Sequence, residues 1–151
     1  LSKDDRVLDL YCGIGNFSLP IARHSGFVLG VEGAAVMTDK ARHNANLNGI
    51  DNVAFETHNL ADDADKFSWL DKHASFNKIL LDPPRSGAKE VIGKLGRSGA
   101  QAILYVSCHP ATLARDADRL VNEFAYKLKK ATILNMFPHT AHVESIALFV
   151  K

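Results

Sequence analysis

Short apolar runs recur along this chain, with stretches of helical spacing between them. Arg6–Leu10 reads as a first strand, and it leads into a glycine turn, Cys12-Gly13-Ile14-Gly15. Phe17 to His24 reads as a helix in which Pro20 is tolerable only in the first turn. Phe27–Val31 is a second strand. Ala34 to Leu47 is a helix that Asn48-Gly49 stops. Val53–Thr57 is a third strand, and Ala64 to Trp69 reads as a short helix. Lys78–Leu81 is a fourth strand, closed by Pro83-Pro84 and followed by a helix from Lys89 to Leu95. Ala102–Val106 is a fifth strand, and Thr112 to Glu123 is a helix. Ala131–Leu134 and Ser145–Val150 complete the pattern as two strands with no helix between them.

Strands that alternate with helices imply an α/β domain built on a mostly parallel sheet covered on both faces. The two last strands lie close together in sequence and are expected to run antiparallel. The 151 residues fit one domain. Hydrophobic residues make up 46% and charged residues 23%, the profile of an ordinary globular protein. The formal net charge of +1 lacks the basic excess of many nucleic-acid binders, so such a partner needs a local patch or another domain. Lys127, Lys129 and Lys130 cluster, and the expectation for them is a solvated helix end. Two cysteines, Cys12 and Cys108, make no disulfide framework and point to a reducing cytoplasm. No apolar run has the length of a membrane span. The first residue is Leu1, a few positions before the first strand, and the expectation is a domain of a longer protein.

In open α/β sheets, ligands bind beyond the carboxyl ends of the strands. Strand one ends near Asp9, Tyr11 and Gly13. Strand two ends on Glu32, strand three near Asn59, strand four on Asp82, and strand five on Ser107 and Cys108. A polar or reactive group at every exit favours a site along that rim. In Asp9-Leu10-Tyr11-Cys12-Gly13-Ile14-Gly15 the two glycines let backbone approach a ligand closely. Ser18 stands where a dinucleotide fingerprint would have its third glycine. An acidic residue ending the second strand, here Glu32, accepts hydrogen bonds from ribose hydroxyls. With Asp9 ahead of the turn, the ligand reads as an amino-bearing nucleoside. This arrangement resembles the class I methyltransferases, which bind S-adenosylmethionine.

Asp82-Pro83-Pro84-Arg85 fixes the backbone behind a carboxylate and adds an arginine fork suited to a phosphate or a carbonyl oxygen. The plainer alternative is a turn that only ends a strand. For Cys108, the plain alternative is an inert core thiol, a description that fits Cys12 better. If the last strand lies antiparallel beside strand five, as in class I methyltransferases, Glu144 at its start neighbours Cys108. A thiol nucleophile and a carboxylate base then share one pocket.

Two late stretches carry a narrower likeness. Ser107-Cys108-His109-Pro110-Ala111-Thr112-Leu113-Ala114-Arg115-Asp116 and Asn135-Met136-Phe137-Pro138-His139-Thr140-Ala141-His142-Val143-Glu144 resemble the RNA uracil-5-methyltransferases, above all the branch acting on 23S rRNA. The resemblance runs from Asp9 to Phe149. His109 stands where the family usually has Asn, and Asn135 where it usually has Asp.

The resemblance implies a catalytic domain spanning residues 1–151 with a seven-stranded sheet whose last strand is antiparallel. It implies that Cys108 attacks carbon 6 of a uracil, that carbon 5 takes the methyl group of S-adenosylmethionine, and that Glu144 removes the carbon 5 proton. Asp9, Tyr11, Gly13, Gly15, Asn16, Glu32, Asn59 and Asp82 are the implied cofactor contacts. Arg85, Phe137, Pro138 and His142 are the implied substrate contacts, and the target base must leave its stack to reach Cys108. RNA, and 23S rRNA ahead of tRNA, is the implied partner of a monomer with no membrane and no metal. Members typically carry an N-terminal RNA-binding β-barrel, and some hold an iron–sulfur cluster. Two cysteines cannot supply a four-cysteine site, so a cluster is expected only in a region outside this chain.

Rival readings differ at particular residues. RNA cytosine-5-methyltransferases place a cysteine where Arg85 stands, and amino-group methyltransferases place an aromatic residue there. A non-catalytic nucleoside-binding module has no use for both Cys108 and Glu144, and a tRNA uracil-5-methyltransferase is the nearest alternative. Cys108, His139 and His142 read as metal ligands lack a recognised spacing.

Overall fold

A computed structural model describes residues 1–61, 67–135 and 143–151. Seven strands form one sheet: β1 (Arg6–Leu10), β2 (Phe27–Glu32), β3 (Val53–Thr57), β4 (Lys78–Leu81), β5 (Ala102–Ser107), β6 (Lys127–Leu134) and β7 (Glu144–Val150). The helices are α1 (Ser18–Ala22), α2 (Ala35–Leu47), α3 (Lys89–Arg97) and α4 (Pro110–Asn122). The strand order is β3-β2-β1-β4-β5-β7-β6. Both β1–β2 and β2–β3 are parallel, while β7 is antiparallel to β5 and to β6. The mostly parallel sheet with an antiparallel last strand is therefore as the alternating pattern implied.

The chain divides into two compact units, Leu1–Ile79 and Leu80–Lys151. In the first, Val7, Leu8, Leu10, Val28, Leu29 and Val31 are buried. Consecutive burial means that β1 and β2 are covered on both faces, the expected state of parallel strands. Two clusters share one face of these strands, Cys12, Ala41, Ala45 and Phe55 in one and Val7, Ala22 and Val28 in the other, and Val53 packs against both. Each large apolar side chain removed from water in this way contributes about 1.5–3 kcal/mol.

The start of β1 is tied down by Asp5. Its carboxylate accepts from the Ser2 amide at 2.7 Å, from Asn77 Nδ2 at 2.8 Å and from Lys78 Nζ at 2.8 Å. The Lys78 hydrogen bond leads in holding the Asp5 carboxyl down at about 2, against the opposing pull of burial. A carboxyl depressed in the folded state stabilises above its unfolded value, and that contribution is lost as pH falls through the folded value. Asp5→Asn is expected to lower the thermal midpoint at pH 7, with the gap to the parent closing between about pH 4 and pH 2. Thermal melts across that range check it, and a gap independent of pH would contradict it.

The second unit is patterned differently. In β5 and β7 burial alternates, so that Ile103, Tyr105, Ser107, Ser145, Ala147 and Phe149 are buried. This period of two marks strands with one well-covered face. On α3, Val91, Ile92 and Leu95 are buried, and α3 packs against α4. The terminal strand β6 is exposed throughout its length. Its lysines and a register shift between Leu128 and Lys130 protect this outer strand from pairing with another chain.

Beyond shifts of one or two residues at several ends, four elements differ from the sequence reading. Lys127, Lys129 and Lys130 lie on β6 and not on a helix end, because β6 begins at Lys127 instead of Ala131. Its pairing with β7 overrides a lysine content that says little about strand formation. The helix placed from Ala64 to Trp69 falls partly outside the described residues. Its described part, Phe67–Trp69, is turn, and the helical residues that follow are a single 3-10 turn at Leu70–Lys72. Phe67 has φ +54°, which no right-handed helix accepts. Helix α1 is shorter than Phe17 to His24, with Pro20 in its first turn as required. Helix α4 starts earlier, because Pro110 is pre-set for a first helical position.

Candidate active site

In the first unit, the turn after β1 brings three residues with positive φ close together: Tyr11 at +64°, Gly13 at +55° and Gly15 at +87°. Gly15 has a second constraint, since a Cβ there would stand 3.1 Å from Cζ of Phe55 and 3.5 Å from Cγ of Leu19. Gly15→Ala is expected to cost about 1–2 kcal/mol from the left-handed backbone alone, and to weaken S-adenosylmethionine binding by tenfold or more. Denaturant unfolding and titration calorimetry check the two effects, and unchanged binding would remove the turn from the ligand site.

Glu32 ends β2 and is half-buried. One carboxylate oxygen accepts from the Gly13 amide at 3.2 Å, and the other from the Gly33 and Ala34 amides at 2.7 and 3.3 Å. Backbone donors thus fix this carboxylate beside the glycine turn. A carboxylate so placed at the end of the second strand suits the hydroxyl pair of a ribose. Asn16 and Asn59 are exposed on loops after β1 and β3, and the Asn59 side-chain oxygen accepts from the Ala61 amide at 3.1 Å. Asp9 is fully buried and accepts a hydrogen bond from the Ser18 hydroxyl. Ser18, where a third glycine was absent, therefore joins the first turn of α1 to β1.

Cys12, beside the turn, is 7% exposed. Burial, reinforced by the charges of Asp9 and Glu32, pushes its thiol up to about 12. The thiolate is the reactive form of cysteine, so Cys12 is inert at neutral pH, in keeping with its reading as a core residue. Alkylation of the folded protein at pH 8 is expected to modify the half-buried Cys108 and spare Cys12. Peptide mass spectrometry checks this, and modification of Cys12 first would contradict the burial argument.

In the second unit, Cys108 follows β5 directly and precedes α4. Ser107 brackets it: the buried hydroxyl accepts from the His109 amide at 3.1 Å and donates to the His109 carbonyl at 3.1 Å. The β5–β7 ladder pairs Ser107 with Ser145. That is the last pair of the ladder, so Cys108, just past the end of β5, and Glu144, the first residue of β7, are the residues that adjoin it on the two strands. Glu144 is half-buried. Asp82, at the end of β4, has its carboxyl raised above the ordinary value, first by burial and then by the negative charge of Glu144. Asp82 and Cys108 thus follow the carboxyl ends of β4 and β5, while Glu144 begins β7.

Arg85 is exposed, and its backbone carbonyl accepts from the Thr112 hydroxyl at 3.2 Å. Phe137, Pro138 and His142, read as substrate contacts, lie outside the described residues, as does His139. Among the described residues, no group of His, Cys, Asp and Glu is arranged to hold a metal ion, and no helix is long and apolar enough to cross a membrane. Of the other histidines, His58 and His73 each share a 2.9 Å contact with Glu56, while His24 and His43 are exposed.

Three residues of α4 escaped the sequence reading: Thr112, Arg115 and the fully buried Asp116. A signal was present, because Asp116 stands four positions before Leu120 on an apolar helical stripe, where a charge needs a partner.

The sheet order and the helix placement define a methyltransferase fold. The precorrin-6y C5,15-methyltransferase of Geobacter metallireducens superposes with a TM-score of 0.78 at 14% identity, over 100% of this chain and 82% of that one. At that identity the likeness is one of fold. A nearer structure is that of Pyrococcus abyssi tRNA (uracil-54, C5)-methyltransferase in complex with S-adenosyl-L-homocysteine. It has a TM-score of 0.79 at 32% identity, over 99% of this chain and 35% of that one.

Residues 1–151 match the tRNA (uracil-5-)-methyltransferase family, and the chain belongs to it. Among its curated relatives is the 23S rRNA (uracil(1939)-C(5))-methyltransferase RlmD of Vibrio parahaemolyticus, 53% identical over 149 residues, which are 99% of this chain and 33% of the relative. The enzyme of the same name from Xanthomonas axonopodis is 54% identical over 98% of this chain and 33% of the relative. The chain thus spans about a third of the length of these relatives.

Proposed function

We propose that this chain is the catalytic part of an enzyme that methylates carbon 5 of a uracil in RNA with S-adenosylmethionine as methyl donor. The observation that supports the reading is the end of the β5–β7 ladder, where the last pair, Ser107 with Ser145, is adjoined by a half-buried thiol, Cys108, and a half-buried carboxylate, Glu144. The nucleoside part of the donor suits the glycine turn and Glu32, whose carboxylate is already held by three backbone amides. Tyr11, Gly13, Gly15, Asn16 and Asn59 complete that surface, with Asp9 supporting the turn through Ser18.

Carbon 5 of uracil is a weak nucleophile until a thiolate adds at carbon 6. Cys108 Sγ forms the bond to carbon 6, and the displaced π electrons make carbon 5 enolate-like. Carbon 5 then takes the methyl group, and the carbon–sulfur pair of the donor stays on sulfur, giving the thioether. Glu144 accepts the proton from carbon 5, the double bond re-forms, and Cys108 leaves as thiolate. Splitting the reaction in this way replaces one difficult step with easier ones. Asp82 and Arg85 hold the base or its phosphate from the β4 loop. Phe137, Pro138 and His142 are proposed contacts of the flipped base.

The choice of RNA rests on the relatives. Identity of 53% to a 23S rRNA enzyme, against 32% to a tRNA enzyme, favours 23S rRNA. The test is nucleoside mass spectrometry of RNA incubated with the full-length protein and isotopically labelled S-adenosylmethionine. Labelled 5-methyluridine in 23S rRNA is expected. Label in another nucleoside would overturn the chemistry, and label in tRNA alone would overturn the substrate.

A further inference from the structure

The loop that follows β4 is held on α4 by three side chains to which the proposed reaction gives no part. Thr112, Arg115 and Asp116 occupy positions i, i+3 and i+4, which lie on one face of a helix. The Thr112 hydroxyl donates to the Arg85 carbonyl at 3.2 Å, and it also stands 3.0 Å from the His109 carbonyl. Arg115 Nη2 donates to the Ser86 carbonyl at 3.0 Å. Asp116, fully buried, accepts from the Ala88 amide at 2.8 Å and from the Tyr105 hydroxyl at 2.7 Å through Oδ2. Its Oδ1 accepts from Arg115 Nε at 2.9 Å.

The fit is tight from the loop side as well. Gly87 has φ +81°, and a Cβ there would stand 2.5 Å from Arg115 Nη2 and 2.8 Å from Asp116 Oδ2. Only a glycine brings this backbone so near the two charged groups. The contacts at 85, 86 and 88 are all to backbone atoms, so they fix where the loop runs and leave the Arg85 side chain exposed.

The same helix begins two residues after Cys108, with His109 between them. The His109 carbonyl lies 3.0 Å from the Thr112 hydroxyl as a second acceptor for its one proton, and the His109 backbone is held by the Ser107 hydroxyl. A continuous set of short contacts therefore runs from the Arg85 carbonyl through Thr112 and His109 to Ser107, with Cys108 inside it. We propose that Thr112, Arg115 and Asp116 are positioning residues that set the spacing between the base-holding loop Asp82–Arg85 and the nucleophile Cys108. The proposal rests on the uracil-methylating reading above. A thiol adds to carbon 6 only when the base is held within near-attack distance, and a displacement of about 1 Å costs on the order of 10²-fold in rate.

The test is made on the full-length protein with RNA carrying 5-fluorouridine at the target, following the single-turnover rate of covalent adduct formation. Thr112→Val removes one hydroxyl at nearly constant volume. It is expected to leave the melting temperature within about 2 °C and S-adenosylmethionine affinity within about twofold, and to slow adduct formation by roughly 10–100-fold. Thr112→Ser keeps the hydroxyl and is expected to recover the rate to within about threefold of the parent. Asp116→Asn keeps the shape but removes the charge behind its three contacts, to the Ala88 amide, the Tyr105 hydroxyl and Arg115 Nε. It is expected to slow adduct formation at least as much, with the loss in the rate at saturating RNA and not in apparent RNA affinity.

Parent-like rates in Thr112→Val and Asp116→Asn would overturn the positioning role alone. So would equal losses in Thr112→Ser and Thr112→Val, or losses that follow the melting temperature. A parent protein that forms no adduct would instead overturn the uracil reading, and the positioning role would fall with it.

Discussion

Cys108→Ala in the full-length protein is expected to abolish methylation of uracil, with a loss of 10⁴-fold or more and binding of S-adenosylmethionine within about twofold of the parent. The loss is large because the thiol has no substitute. Without addition at carbon 6, carbon 5 never becomes electron-rich, and a factor of 10⁴ corresponds to about 5 kcal/mol of barrier. Binding of the donor is spared because the residues proposed to hold it, from Tyr11 to Asn59, belong to other strands. Cys12→Ala is the internal control. Its buried thiol, pushed up to about 12, has no part in the reaction, and the variant is expected to keep activity within a few-fold. Steady-state rates with equilibrium dialysis of the donor check the pair. Activity surviving in Cys108→Ala, or lost in Cys12→Ala, would assign the nucleophile elsewhere.

The second large effect concerns the base. Glu144→Gln preserves the shape of the side chain but removes its ability to take a proton. Turnover is expected to fall by about 10²–10⁴-fold, the usual range for a positioned general base. The manner of failure is the stronger prediction. Cys108 still adds and the methyl group still transfers, but carbon 5 keeps its proton and the thiolate is not expelled. Protein bound covalently to RNA of ordinary uracil is therefore expected to accumulate on a denaturing gel. An equal loss of rate with no bound species would place Glu144 before the methyl transfer. Because the charge of Glu144 helps raise the Asp82 carboxyl, the same variant is also expected to lower the Asp82 titration point.

Much of this architecture was legible because its signals are local. Buried parallel strands such as β1 and β2 read as short apolar runs, and the glycines at 13 and 15 fall where the backbone takes positive φ. The expected nearness of Cys108 to Glu144 was not local. It required the family likeness to place the last strand beside the fifth, and the antiparallel β5–β7 pairing is what the structure has, with Ser107 and Ser145 as its last pair. The lysines of β6 misled because their pairing with β7 is a tertiary matter that composition does not record. Asp9 is an instructive case. At the end of an apolar strand it reads as a ligand group, but a serine nine residues on receives it in the interior. Asp116 was missed for the converse reason. Its partners are a backbone amide at Ala88 and a tyrosine on β5, and neither can be inferred from the helix that carries it.

The central claim is a transient bond between one thiol and carbon 6 of a pyrimidine. Incubating the full-length protein with S-adenosylmethionine and RNA that carries 5-fluorouridine tests it most directly, because fluorine on carbon 5 cannot be removed as a proton. Digestion and mass spectrometry are predicted to find a methylated, fluorinated, dihydro-nucleotide attached to the peptide containing Cys108. Full methylation of unsubstituted RNA by the same preparation, with no nucleotide attached to Cys108 in the fluorinated substrate, would contradict it.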